Sequence, residues 1–246
     1  MKEWITGRNP VYECLRAGRR HFFRLWIKKG TDPKGRIREI IEITKRKSLR
    51  VQYVDGSSLF NISEHHQGVA LETSRYPYSD LTTIKLRAEA SREPLFVLIL
   101  DQIQDVHNLG SLIRTAEIMG VHGAVVPQRR AAGITPAVVN SSSGASEHLL
   151  IVQRNISQTI DELKEIGVWV VGLDADDRAE PLENIDLRGP LALIVGSEAK
   201  GLRKLVREKC DHIAYIPMRG QIESLNAAAA GSIVLYQAAA ARKKEP

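Results

Sequence analysis

Only two cysteines, Cys14 and Cys210, occur among 246 residues, and they form no Cys-x-x-Cys pair. That excludes a disulfide framework, offers no zinc ligand set and fits a reduced compartment. No stretch reaches the roughly 18 uncharged apolar residues of a membrane span, and the opening MKEWITGRNP lacks the apolar core of a secretory signal. The expectation is a soluble, cytoplasmic protein with no membrane partner. Glycine-rich Gly-x-Gly-x-x-Gly is missing after every apolar run, which excludes the dinucleotide fingerprint, and neither His-Glu-x-x-His nor Gly-x-Ser-x-Gly occurs. The stretch GSEAKGL has the glycine spacing of a phosphate loop but runs on into Leu202 and Arg203 instead of Lys-Ser/Thr, so a P-loop is excluded as well. His65 and His66 are adjacent and read as capping a strand rather than as a metal pair. No internal repeat points to a solenoid.

What is present is charge of one sign in one place. The chain carries a formal +6, yet residues 1–50 hold 15 basic and 5 acidic residues, a net +10, which leaves −4 in the remaining 196. Such a segment is either a well-solvated surface or the face of a polyanionic partner, nucleic acid first. Residues 1–73 read as a small mixed α/β unit: NPVYECLRAG as a helix closed by Gly18, FFRLWIKK as a strand, PKGRIREIIEITKRKS as a basic amphipathic helix, LRVQYVD and QGVALETS as strands. Residues 74–93, with prolines, serines and charges but no firm apolar period, read as a linker with a helix inside it. Beyond them, over 94–246, the runs LFVLIL, GAVVP, HLLIV, VWVVGL, LALIVG and HIAYIP alternate with helical patterns, the mark of a parallel sheet covered on both faces.

Sites in such sheets lie beyond the carboxyl ends of the strands, and three loops there hold unusual residues. In DQIQDVHNLGSLIRTAE, Asn108 is expected to cap a helix beginning near Leu109, and Arg114 would project from its second turn. Its plain alternative is a surface pair with Glu117, worth about 0.2–0.5 kcal/mol. In GSEAKGL, Glu198 lies between Gly196 and Gly201, as a helix-capping carboxylate or as a functional one. In IPMRGQIESLN, Ser224 or Asn226 begins a helix of very small residues, AAAAGS, which would let another backbone approach very closely.

Together these loops resemble the three motifs of the SpoU branch of the SPOUT RNA methyltransferases. NLGSLIRTA resembles the Asn-x-Gly-x-x-x-Arg motif, LIVGSEAKGL the Gly-Glu-x-x-Gly motif and IPMRGQIESLNAAAAGS the Ser-Leu-Asn motif. GRNPVYECLRAG, HHQGVALE and RRAAGITPAVVNSSSGASEHL extend the likeness over nearly the whole chain, toward the bacterial enzymes that methylate a guanosine ribose in 23S ribosomal RNA. One departure stands out: the family usually continues Ser-Leu-Asn with Val-Ser-Val-Ala, whereas this chain has Ala227 to Ala230.

The resemblance implies a knotted parallel-sheet α/β catalytic domain (the trefoil knot) beside a small mixed α/β RNA-binding domain. It also implies S-adenosylmethionine as cofactor, 23S rRNA as partner and a homodimer formed through the catalytic domain. By motif position Gly196, Ile216 and Leu225 would line the cofactor pocket, and Asn108, Arg114, Glu198, Ser224 and Asn226 would form the catalytic set. Arg114 would act either in its own site or across the dimer. The basic residues Arg16, Arg19, Arg20, Arg36, Arg38, Lys45 and Arg46 would contact phosphates. Two alternatives stay open: a tRNA guanosine-2′-O-methyltransferase, and a non-catalytic RNA-binding assembly factor.

Overall fold

A computed structural model describes residues 2–129, 131–197, 201–222 and 224–242. The first elements are β1 (Lys2–Thr6), α1 (Arg8–Ala17), β2 (Phe22–Lys28), α2 (Arg36–Arg46), β3 (Val51–Val54), α3 (Gly56–Phe60) and β4 (Val69–Ser74). Then come α4 (Leu81–Ser91), β5 (Phe96–Asp101), α5 (Val106–Ile118), β6 (Gly123–Val126), α6 (Pro136–Ser141), β7 (Leu150–Gln153), α7 (Ile156–Lys164) and β8 (Trp169–Leu173). The chain closes with β9 (Glu180–Pro181), β10 (Leu191–Gly196), α8 (Lys204–Lys209), β11 (His212–Tyr215) and α9 (Ala227–Ala241).

Two compact units result. Unit 1 comprises residues 1–77 and 134–148; unit 2 comprises 78–133 and 149–246. The sheet of unit 1 runs β1-β4-β2-β3, antiparallel except for the parallel β2–β3 pair. α1 closes at Gly18, whose left-handed backbone returns its amide to the Cys14 carbonyl. α2 buries Ile37, Ile40 and Thr44, the three- and four-residue spacing of one helix face. His66 caps the entry to β4, its Nδ1 accepting from the Gly68 amide at 2.8 Å.

Residues 134–148, far along the chain, complete unit 1 rather than unit 2. Glu147 there is fully buried and receives Arg20 from two nitrogens, Nη2 at 2.7 Å and Nε at 2.9 Å. Arg20 also donates to Glu3 at 3.0 Å and to the Ser74 carbonyl at 3.1 Å. Removing one partner of such a buried pair costs about 3–5 kcal/mol. Arg20 was expected to meet RNA phosphates; it is consumed inside the fold instead. Charge patterning alone does not separate a buried cation from a surface one.

Unit 2 holds a seven-stranded sheet in the order β7-β6-β5-β10-β8-β11-β9, and every pairing in it is parallel. Every residue of β5 and β10 is buried, as their unbroken apolar runs require of central strands. The segment expected to be a linker contains α4, capped by Asp80 and seated by buried Leu81, Ile84 and Ala88. No helix among the described residues is long and apolar enough to cross a membrane.

The small-residue helix α9 packs on α5 and β10. A Cβ at Gly231 would lie 2.4 Å from Leu112 Cδ2 and 3.1 Å from Val195 Cγ2, so only glycine allows this approach. Thr115 and Ser232 hydroxyls meet at 3.0 Å across the same seam. Gly231→Val is expected to destabilise the protein by about 1–3 kcal/mol through overpacking. Adding Leu112→Ala should restore part of the lost melting temperature in thermal denaturation; a Gly231→Val variant as stable as wild type would contradict the seam.

Candidate functional site

The carboxyl ends of β5 and β10 are adjacent, with Gly196 paired in register to Asp101. The chain therefore leaves both central strands at one edge. From β5 it turns through residues 102–105 into α5. Asp105, not Asn108, caps this helix: Asp105 Oδ1 accepts from the Asn108 amide at 2.8 Å, and the helix begins at Val106. Asn108 is thereby relieved of capping, and its side chain serves elsewhere. Its Oδ1 accepts from Asn226 Nδ2 at 3.0 Å. Asn226 is in turn the N-cap of α9, its Oδ1 accepting from the amides of Ala228 at 2.9 Å and Ala229 at 3.2 Å. One asparagine thus starts α9 and ties it to α5.

Arg114 is exposed on α5, six residues beyond Asn108 and one before Thr115 of the α5–α9 seam. Ser224 and Leu225 are exposed immediately before the α9 cap, and half-buried Ile216 follows β11. Gly196 ends β10 where a Cβ would meet the Gly201 carbonyl carbon and oxygen at 2.4 Å. Glu198 lies outside the described residues, and the helix expected near 201 begins at Lys204.

Beyond Gly196 the chain doubles back. Ser197 and Gly201 exchange two backbone hydrogen bonds, at 2.9 and 3.2 Å. Two carboxylates that sequence reasoning missed hold the return. Asp174, just past β8, accepts from the Leu202 amide at 3.1 Å and pairs with Arg207 at 2.8 Å. Asp101, fully buried at the end of β5, accepts from the Arg203 amide at 3.0 Å and from Arg203 Nε at 2.7 Å. The signal was available: LFVLILD and VWVVGLD each end an apolar strand on an aspartate.

Between β11 and α9, residues 217–222 and 224–225 make no backbone-to-backbone hydrogen bond among the described residues. The segment offers peptide donors and acceptors beside the exposed side chains of Met218, Ile222 and Leu225. That mixture suits a ligand with both a hydrogen-bonding edge and an apolar arm. Neither thiol supplies a nucleophile. Burial pushes Cys14 well above the ordinary thiol range and Cys210 up to about 12, so both stay protonated at neutral pH.

Residues 95–236 match the family described as SpoU rRNA Methylase, and residues 4–79 match RNA 2′-O ribose methyltransferase substrate binding. A protein of Bacillus subtilis (strain 168) named as a TrmH family tRNA/rRNA methyltransferase is 41% identical over 246 residues, 99% of this chain and 97% of its own length. A Staphylococcus haemolyticus protein named in the same way is 39% identical over 95% of this chain and 93% of its own. Among solved structures, the SpoU methyltransferase AviRb from Streptomyces viridochromogenes in complex with AdoMet superposes with a TM-score of 0.80 at 24% identity, covering 97% of this chain and 90% of that one. An AdoMet-bound rRNA methyltransferase from Sinorhizobium meliloti gives 0.79 at 23% identity, over 96% and 86%. These two likenesses bear on the fold.

The clip at Asp174 yields a direct expectation. Asp174→Ala should destabilise the protein by about 1–3 kcal/mol, since it strands the Leu202 amide. It should also speed hydrogen exchange across residues 201–203. Unchanged exchange there would contradict the clip.

Proposed function

This chain belongs to the SpoU rRNA methylase family of RNA methyltransferases, and from that premise we propose that it methylates the ribose 2′-hydroxyl of a guanosine in 23S rRNA, using S-adenosylmethionine. The single observation that carries the reading is the Asn108–Asn226 hydrogen bond. It joins the first and third motifs at the edge where β5 and β10 end, although 118 residues separate them.

S-adenosylmethionine supplies an electrophilic methyl group on a sulfonium. The peptide groups of residues 217–222 and the side chain of Leu225 fit its purine edge and aliphatic arm, with Gly196 at the end of β10 and Ile216 just past β11, two strands away in the same sheet. A ribose hydroxyl is a poor nucleophile at neutral pH, so developing alkoxide charge must be stabilised and its proton taken away. In this proposal Arg114 does the first. A guanidinium is a permanent cation in neutral water and is no general base. It would polarise the 2′-oxygen and hold an adjacent RNA phosphate, whose oxygen would take the hydroxyl proton. Asn108 and Ser224 orient the ribose and Arg114, Asn226 fixes Asn108 from the start of α9, and Glu198 braces the second loop. The knotted crossing implied by the family belongs to the same reading.

A homodimer through unit 2 is also part of the proposal. α9 keeps Ile233 and Tyr236 exposed, three residues apart on one outer face, and Tyr236 is 65% exposed. In a dimer these two side chains would supply apolar area to the interface. Two cysteines, both free, fit the cytoplasm.

Transfer of labelled methyl from S-adenosylmethionine to protein-free 23S rRNA, with bulk tRNA in parallel and the nucleoside identified, tests this directly. The expected product is 2′-O-methylguanosine in rRNA alone; label in tRNA alone would overturn the substrate. Arg114→Ala should lower kcat by about a hundredfold or more, with S-adenosylmethionine binding intact. Arg114→Lys should not restore turnover, because a point charge does not replace a two-pronged contact.

A further inference from the structure

Unit 1 carries the basic excess, and the structure shows where most of that charge is spent. Arg16 pairs with Glu13, Arg38 with Glu42, and Arg24 with Glu72. Arg36 pairs with Glu39 and lies 3.9 Å over the Tyr12 ring. Arg20 is buried on Glu147. Cations with internal partners have less to offer an outside anion.

Two cations differ. Arg8 is pinned at its base by Gln67: its amide donates to Gln67 Oε1 at 3.0 Å and its Nε to the Gln67 carbonyl at 3.2 Å. Its two terminal nitrogens have no partner among the described residues. Lys28 Nζ likewise has no ion pair or hydrogen bond among them. Both line one open cavity of about 650 Å³, together with Lys29, Thr31, Asp32 and the turn 66–68. Its remaining charges are already matched, Lys29 by Asp55 at 3.1 Å and Asp32 by Lys34 at 2.9 Å. The volume falls within the range of small-ligand pockets.

The turn that holds Arg8 is itself unusual. Gln67 has φ +50° and Gly68 φ +84°, two successive left-handed residues, the first of them not glycine. That backbone places both the carbonyl and the side-chain oxygen of Gln67 on Arg8. His66 accepts through Nδ1, so its neutral ring carries the proton on Nε2 and adds another donor to the lining. A guanidinium held at its base with both outer nitrogens open, beside an unmatched ammonium, suits an oxyanion such as a phosphodiester.

Resting on the RNA reading above, we propose that this cavity of unit 1 is a phosphodiester-binding site for the RNA substrate, with Arg8 and Lys28 as its charge-bearing contacts. It is a positioning site: it registers RNA on unit 1 and reads no base. It adds the end of β2 and the 66–68 turn to the expected contact surface, while Arg36 and Arg38 of α2 are matched by Glu39 and Glu42.

Filter binding of labelled, protein-free 23S rRNA across a KCl series tests it, using the full chain and Lys28→Ala, Arg8→Ala and Arg38→Ala. Lys28→Ala and Arg8→Ala should each weaken binding about tenfold. Each should also flatten the slope of log K against log salt by about 0.7–0.9, one phosphate contact. Arg38→Ala, which removes the same charge from a matched pair, should stay within about twofold of wild type. Lys28→Ala breaks no side-chain hydrogen bond or ion pair among the described residues, so it carries the test even where Arg8→Ala disturbs the turn. S-adenosylmethionine titration monitors unit 2 in every variant. Wild-type affinity and slope in Lys28→Ala, with methyl transfer intact, overturn the pocket and leave the enzyme reading standing. A wild-type protein that neither binds nor methylates rRNA overturns both.

Discussion

The approach of α9 to α5 and β10 at Gly231 governs where the polar groups of the candidate site lie. A side chain at that position would stand inside Leu112, so the helix comes close only because the residue there has none. The buried face of α9 is built to match, with Ala227, Ala228, Gly231, Val234, Leu235 and Ala238 against the sheet and α5. Small residues contribute little apolar area, yet alanine costs nothing in side-chain entropy and is the best helix former. The helix gives up hydrophobic payload for proximity. Proximity then sets Asn226, at its first turn, within hydrogen-bond reach of Asn108.

Two carboxylates complete the arrangement from the other side. Asp101 and Asp174 sit just past or at the ends of central strands and take hold of the 201–203 return through its amides and through Arg203 and Arg207. Neither lies in a recognisable motif. Their work is to hold Leu202 and Arg203 against the ends of β8 and β5. Preorganisation of this kind lets polar groups act on developing charge without reorganising at the moment of reaction.

Much of this was legible in the sequence. Continuous apolar runs gave the central strands, since strands buried on both faces have no polar side to alternate with. Three motif-bearing loops fell together at one edge, as expected of parallel strands. The rest depends on partners distant along the chain. Asp105 and Asn108 are both good caps three residues apart, and only the second's engagement with Asn226 explains why the first caps the helix. β1 escaped notice because KEWIT is short and takes its strand character from β4. The placement of residues 134–148 in unit 1 rests on a salt bridge spanning 127 residues, and no local pattern announces that Arg20 is buried. Gly-Glu-x-x-Gly was read from the family resemblance, while Asp174, which holds Leu202 just beyond it, was not read at all.

The central claim is that Asn108 and Asn226 act as one link between α5 and α9. A double-mutant cycle on stability measures it most directly, using Asn108→Ala with Asn226→Ser, the serine keeping the N-cap but not the reach. The account predicts a coupling energy of about 0.5–1 kcal/mol, the worth of one partly exposed hydrogen bond. Strict additivity of the two substitutions would contradict it.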